Sequence, residues 1–183
     1  RIVKNPIKFK LQLNEEQICK LYELTDGWPA ALKLSTFLIK QPEQLSQLPV
    51  DGKVTSELFD DYLIENIFNH KSAEQQEFLV KTSILSEFNL PLCQHLLADT
   101  FSAGRAATML NEDLEESILI ESTNQQQSWL SYHQLFASFL IKLLKRDYAE
   151  QVEPLHVKAA KWFKENNRPR LAIEHAIAGN ANE

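Results

Sequence analysis

A single pair of β-type segments, set among helical patterns, restricts the fold of this chain more than any other feature of its sequence. Residues 117–122 (SILIES) and 128–132 (SWLSY) are rich in aromatic, β-branched and other apolar side chains, and they flank the polar residues 123–127 (TNQQQ). This pattern predicts a hairpin with a polar tip. The chain has only four glycines and seven prolines, which argues against a turn-rich all-β fold. We therefore predict a mainly α-helical protein with one β-hairpin.

Three short helices are predicted between Ser72 and the hairpin. Ser72 caps the first, Pro91 begins the second and Ser102 caps the third. The third has the clearest helical period, with apolar side chains at Ala103, Ala106, Ala107, Leu110 and Leu114. A fourth helix, 133–146, follows the hairpin. Three helices and then a hairpin are the element order of a winged-helix domain, which we predict over 54–147.

The residues before this domain have helical patterns of their own. A helical adaptor is predicted over 11–41, in which Asn14 caps a first helix and Pro29 begins a second. Residues 42–53 contain two prolines and an Asp-Gly pair and are predicted to be a linker. The first helix of the winged-helix domain is predicted at roughly 57–69 from its apolar stripe.

The last segment, 148–183, is predicted to form two helices joined at 166–169. Two sets of apolar side chains recur with the helical period, Leu155, Ala159, Trp162 and Phe163 in the first helix, and Ala172, Ile173, Ala176 and Ile177 in the second. Such a pair resembles the start of a tetratricopeptide-like helical repeat. One unit cannot bury both of its faces, so we expect a longer parent protein in which the repeats continue.

Enzyme motifs are missing from the sequence. The five histidines are 19 or more residues apart, so they form no i, i+4 metal-binding pair, and neither a GxSxG motif nor a Gly-rich loop occurs. The Gly-Lys pair at 52–53 lacks the other residues of a phosphate-binding loop. The acidic run 112–116 is most simply a solvated helix end. We therefore predict no catalytic residue and no metal site in this chain.

Charge and composition exclude further classes. The net charge is −6, and the helix before the hairpin carries Arg105 against four acidic side chains, which disfavours contact with DNA phosphates. No apolar run has the length of a membrane-spanning helix. Cys19 and Cys93 fall in apolar helical patterns and are interpreted as reduced core thiols of a cytoplasmic protein.

Two local features leave a structural and a functional interpretation open. Trp28 occupies the N-cap position before Pro29, where a polar cap is expected, so the two rings could either frame a flat ligand or pack into the core. His133 stands between the second strand and the next helix, where its imidazole could donate to an anion or bond to a nearby carbonyl.

A family resemblance favours the functional interpretation of both features. Residues 27–32 (GWPAAL) resemble the GxP motif of STAND-class signalling NTPases, and residues 129–136 (WLSYHQLF) resemble the histidine motif at the end of their winged helix. Residues 155–163 (LHVKAAKWF) and 172–176 (AIEHA) are similar to the start of the helical repeats in MalT-like, LuxR-type ATP-dependent transcriptional regulators.

The resemblance implies a part in a nucleotide switch. ATP or ADP would bind an upstream P-loop domain of the intact parent, a slow ATPase switch. Trp28 and Pro29 would frame the base, and His133 would sense the phosphates. Gln134 follows the histidine where related switches often have an acidic residue. The chain alone is expected to hold nucleotide weakly and to contact no DNA and no membrane.

The expected partners of the chain are therefore domains of the same protein. The P-loop domain would precede it, a downstream helical-repeat domain would follow it, and an effector or regulatory protein could bind there. The chain would couple the nucleotide state to effector binding and oligomerisation. The alternative is a protein-interaction module without nucleotide, and a third hypothesis is a DNA-binding winged helix.

Overall fold

The computed structural model describes residues 14–25, 32, 53–115, 119–123 and 128–180. The chain divides into two compact units, 1–66 and 67–183. The described part of the first unit contains helices α1 (Glu15–Thr25) and α2 (Lys53–Asn66). The predicted second adaptor helix, 29–40, lies outside the described residues apart from Leu32, which is helical.

The second unit is mostly helical, with a two-stranded antiparallel sheet. Its described elements are, in chain order, a short 3-10 helix (Phe68–His70), α3 (Ala73–Thr82), α4 (Leu90–Leu96), α5 (Ala103–Glu115), β1 (Ile120–Ser122), β2 (Leu130–Tyr132), α6 (Gln134–Asp147), a second 3-10 helix (Ala149–Gln151), α7 (Val152–Glu165) and α8 (Pro169–Ala178).

The predicted helix caps are confirmed by hydrogen bonds. Asn14 accepts from the Gln17 amide at 2.9 Å, and the Gln17 side chain accepts from the Asn14 amide at 3.0 Å, a reciprocal capping box. Ser72 accepts from the Gln75 amide at 3.2 Å, and Ser102 accepts from the Arg105 amide at 3.2 Å. These short polar side chains satisfy amides that have no partner within their helix, so the starts of α1, α3 and α5 are determined locally.

The hairpin is also confirmed, with shorter strands than the sequence suggested. Ile120 pairs with Tyr132, and Ser122 pairs with Leu130. Leu130 also exchanges two 2.8 Å backbone hydrogen bonds with Phe88, from the segment between α3 and α4. This third pairing attaches the hairpin to the helices, and no pattern in the sequence predicts it.

The core of the winged helix is apolar. Phe78, Phe88, Leu92, Phe136 and Leu140 are completely buried in it. Phe136 and Phe139 project from α6, as its sequence period predicts, with ring centroids 6.0 Å apart. Burial of side chains of this size supplies most of the stabilisation of a domain of this kind.

Helices α7 and α8 form a hairpin whose turn depends on one asparagine. Asn167 has φ 58°, the left-handed conformation that ends many helices, and the Arg168 amide donates to the Phe163 carbonyl at 2.9 Å. The face of α8 toward α7 is small and polar, with Ala172, His175 and Gly179 at i, i+3 and i+7. A Cβ atom on Gly179 would lie 3.1 Å from His156 Cβ on α7, so glycine permits the close approach.

Three sequence predictions need correction. Helix α2 begins at Lys53, inside the predicted linker and four residues before the predicted helix start. Cys19 is exposed, whereas Cys93 is buried as predicted. Ile173 and Ile177 are 60% and 73% exposed, so of the predicted apolar face of α8 only Ala172 is buried. The contact face is set instead by the small side chains that let the two helices approach.

A fourth correction concerns the acidic run 112–116. Asp113 is 0% exposed, and its carboxylate lies 3.0 Å from Lys71 Nζ and 2.6 Å from Gln75 Nε2. Asp113 follows Leu110 by three residues and Met109 by four, which places it on the buried face of α5. Among the acidic side chains of this run, those of Glu112 and Asp113 are described, and Glu112 is exposed.

Candidate functional site

His133 is held at a fixed position between the hairpin and helix α6. It is the N-cap residue of α6, with φ −56° and ψ 138°, and its side chain makes no capping hydrogen bond. Its amide donates to the Leu119 carbonyl at 3.0 Å, and its carbonyl accepts from the Ala137 amide at 2.8 Å. The backbone therefore joins the last hydrogen bond of the hairpin to the first turn of the helix.

The residue before His133 anchors this junction in the core. The Tyr132 hydroxyl lies 2.7 Å from Thr82 Oγ1, and its ring lies 4.7 Å from the Phe88 ring and 5.8 Å from the Phe136 ring. Burial raises the pKa of Tyr132 well above its usual value, so this hydroxyl stays neutral and acts as a structural hydrogen-bonding group. The position of His133 thus depends on contacts from three other elements.

The imidazole of His133 is 7% exposed, and its Nε2 atom lies 3.8 Å from the Glu121 carboxylate on β1. Glu121 itself is exposed. A histidine between a carboxylate and a helix N-terminus can exchange one partner for another when an anion approaches, because its ring nitrogens donate or accept according to their protonation. Gln134, at the next position, is exposed.

The other two predicted site residues cannot be compared with His133. Trp28 and Pro29 lie outside the described residues, as does Gly27. The convergence of the two motifs on one nucleotide therefore stays a prediction.

Trp129, from the same sequence motif as His133, belongs to a different surface. Its ring lies 4.5 Å from the Arg168 guanidinium and 6.2 Å from the Trp162 ring. Arg168 also pairs with Glu87 at 3.2 Å. Because strand residues alternate between faces, Trp129 packs on the helix pair while Leu130 faces the core.

A second contact fixes the helix pair to the winged helix. Lys158 on α7 forms an ion pair with Asp99, which follows α4. This pair, the contacts of Arg168 and the Trp129–Trp162 contact come from separate parts of the chain, so the α7–α8 pair is docked onto the winged helix at several points. Sequence reasoning missed this joint, since none of its pairs is close in sequence.

The exposed side of α5, the position of a recognition helix in a winged-helix domain, lacks a free cation in the described residues. Thr108, Asn111 and Glu112 are exposed there. Arg105 pairs with Glu74 on α3, with Nη2 2.6 Å from the carboxylate. A surface that binds duplex DNA needs several unpaired cations, so this face is poorly suited to it.

No group of three or more His, Cys, Asp or Glu side chains in the described part of the chain is arranged to hold a metal ion. None of the described helices has the length and apolar content that crossing a membrane requires. Burial raises the pKa of the Cys93 thiol to about 12, which leaves it protonated and unreactive.

Comparisons with known proteins match this arrangement of elements. Residues 64–152 match the family model of the MalT winged helix domain. The chain is 29% identical over 168 residues to the serine/threonine-protein kinase PknK of Mycobacterium tuberculosis strain H37Rv, covering 92% of this chain and 15% of the kinase.

Two further relatives carry the name of a transcriptional regulator. The HTH-type transcriptional regulator MalT of Serratia proteamaculans is 28% identical over 170 residues, covering 91% of this chain and 18% of that protein. MalT of Yersinia enterocolitica is 27% identical over 175 residues, covering 93% and 19%. The chain therefore spans less than a fifth of the length of these curated relatives.

Proposed function

Because residues 64–152 match the family model of the MalT winged helix domain, we propose that this chain is the coupling segment of an ATP-dependent transcriptional regulator. In this proposal an upstream P-loop domain binds ATP or ADP, and the chain passes the nucleotide state to a downstream helical-repeat domain. The parent protein would hydrolyse ATP slowly, as a switch. The chain itself would supply no catalytic group.

The observation that carries this proposal is the continuous path from His133 to the helix pair. His133 begins α6, whose apolar face packs in the winged-helix core, and the α7–α8 pair is docked on the same domain through Arg168 and Lys158. A change at His133 that displaced α6 would reach α7 along the chain, because only Tyr148 and the 3-10 helix Ala149–Gln151 separate the two helices. A ligand that interacts differently with two arrangements of the domains shifts the population between them.

The relatives support a coupling role over a DNA-reading role. The same segment is similar to part of a protein named a kinase and to part of proteins named transcriptional regulators. The role of this segment would then be the same whether the protein that contains it is a kinase or a transcriptional regulator. The pairing of Arg105 with Glu74 and the exposed Glu112 on α5 agree with a chain that makes no direct contact with DNA.

Substitution His133→Ala in the full-length parent tests the proposal. We expect faster loss of bound ADP and higher transcription without effector, because a phosphate contact of the resting state is removed. His70→Ala is the matched control, since His70 is an exposed histidine of the same unit. ADP retention and basal transcription equal to those of the control would exclude His133 from the switch.

The second candidate function, a protein-interaction module without nucleotide, is favoured by the exposed Ile173 and Ile177 on α8. It predicts partner binding that does not change when ADP replaces ATP. A winged helix that reads DNA would instead show salt-dependent affinity for duplex DNA.

A further inference from the structure

A crevice of about 480 Å³ lies at the joint between the winged helix and the α7–α8 pair. Its walls come from the segment after α3, from the two strands and from the turn that begins α8. The polar side chains among its lining residues are Ser86, Glu87, Thr123, Ser131, Asn167, Arg168 and Arg170. Pockets that hold small molecules in proteins have volumes of about 300–1,000 Å³, so the crevice is of suitable size.

The charges in the crevice differ in sign from the charge of the whole chain. Two guanidinium groups and one carboxylate line it, whereas the chain has a net charge of −6. Guanidinium groups bind carboxylates and phosphates through paired, charge-assisted hydrogen bonds, and nearby hydroxyls can donate to the same oxygens. The lining therefore suits a small anion.

Arg168 already binds an anionic group here. Its Nη1 atom lies 3.2 Å from the Glu87 carboxylate, and its guanidinium carbon lies 4.5 Å from the Trp129 ring centroid. The Trp129 ring lies against the Arg168 guanidinium at the wall of the crevice. The Glu87 carboxylate accepts a hydrogen bond from one of the guanidinium N–H groups. Arg170 is exposed and pairs only with Glu174 on its own helix among the described residues, at 2.8 Å.

We propose that this crevice binds a small molecule carrying a phosphate or carboxylate group, which replaces Glu87 on Arg168 and also binds Arg170. The bound anion would contact the strands and the turn before α8 together, so it would strengthen the joint through which the helix pair is docked. This site is separate from the proposed role of His133, which does not line the crevice.

The test is titration of the full chain with pyrophosphate and with citrate at constant ionic strength, followed by Trp fluorescence and calorimetry. Arg170→Gln should weaken binding roughly fivefold to tenfold, the effect of losing one charged hydrogen-bonding group. Arg146→Gln is the matched control, because Arg146 is also exposed and pairs with its neighbour Asp147 but lies outside the crevice. The control should bind as the wild type does.

Glu87→Gln is a second variant. Its expected effect is tighter binding, which an unfolded protein would not show. It removes the carboxylate that competes for Arg168, so binding should become roughly threefold to tenfold tighter. Stronger binding of pyrophosphate than citrate would identify phosphate compounds as the ligand class, and the reverse would identify carboxylates. The proposal is overturned if neither anion binds at concentrations on the order of 10 mM, if Arg170→Gln behaves like Arg146→Gln, or if Glu87→Gln leaves the affinity unchanged or weaker.

Discussion

The winged helix and the α7–α8 pair both bury polar side chains, but they satisfy them in different ways. In the winged helix, buried Asp113 faces Lys71 and Gln75, groups that favour its charged form. In the helix pair, His175 is 5% exposed and its Nδ1 atom lies 2.9 Å from Nδ1 of His156, a group of the same kind.

The two parts of the molecule therefore tolerate different changes. An ion pair inside a closed core depends on both partners being present, because a buried charge without its partner is costly. Two imidazoles that share one hydrogen bond need one ring to donate and the other to accept, so they depend on not being protonated together. The winged helix is thus sensitive to substitution, and the helix pair is sensitive to acid.

The largest expected effect is that of Asp113→Ala in the winged helix. Removing this carboxylate takes one buried acceptor away from both Lys71 and Gln75 and should lower the free energy of unfolding by about 3 kcal/mol. Urea unfolding measures the change. Asp147→Ala, which removes an exposed carboxylate paired with Arg146, should stay within about 0.5 kcal/mol of wild type. Equal effects of the two substitutions would contradict the contrast between a closed core and an exposed pair.

Acid should destabilise the helix pair. Burial, and then the neighbouring His156, lower the pKa of His175 to about 4, while burial and Lys145 lower the pKa of His156. Between pH 4 and the unfolded value of about 6.5, the unfolded chain binds more protons than the folded chain. Stability is therefore fully present above this range and is lost as the pH falls through it, by roughly 2 kcal/mol after allowance for screening by solvent.

Unfolding of wild type and His175→Leu between pH 7 and pH 4 checks this dependence. The substitution removes one titrating group but keeps an apolar side chain against Phe163, so the loss of stability on acidification should be smaller. Parallel curves for the two proteins would show that the histidine pair does not set the acid sensitivity.

A smaller effect is expected at the turn of the helix pair. Asn167→Ala should cost about 1 kcal/mol, because an alanine at φ 58° has no polar side chain to offset the steric strain. Asn167→Gly should be neutral or slightly stabilising, since glycine adopts this conformation readily. Thermal unfolding of the two variants measures the difference, and a reversed order would refute the backbone explanation.

The smallest effect is expected on the outer face of α8. Ile177→Ala should change the stability of the chain by less than about 0.5 kcal/mol, because the side chain is 73% exposed. A loss above about 1 kcal/mol would show that Ile177 is buried in solution, by self-association or otherwise. Analytical ultracentrifugation of the variant and wild type distinguishes these explanations.

Local sequence determined the elements. Ser72, Ser102 and Asn14 cap their helices as predicted, and the polar tip predicted the hairpin, because these signals act through amides three residues away or less. The order of those elements also led to the winged helix and to the family resemblance. The motif at residues 129–136 identified His133 as a candidate site residue. The structure places this residue at the junction of the hairpin and helix α6.

Which side chains contact one another depends on how the elements pack. The Lys71–Asp113 pair joins residues 42 positions apart, the Arg168–Glu87 pair spans 81, and the two histidines are 19 apart. A helical period says which face of an element is apolar, but it does not say which element covers that face or how closely. Burial of Asp113, exposure of Ile173 and the crevice beside Arg168 all follow from that packing, because the same side chain is stable or costly according to the groups that surround it.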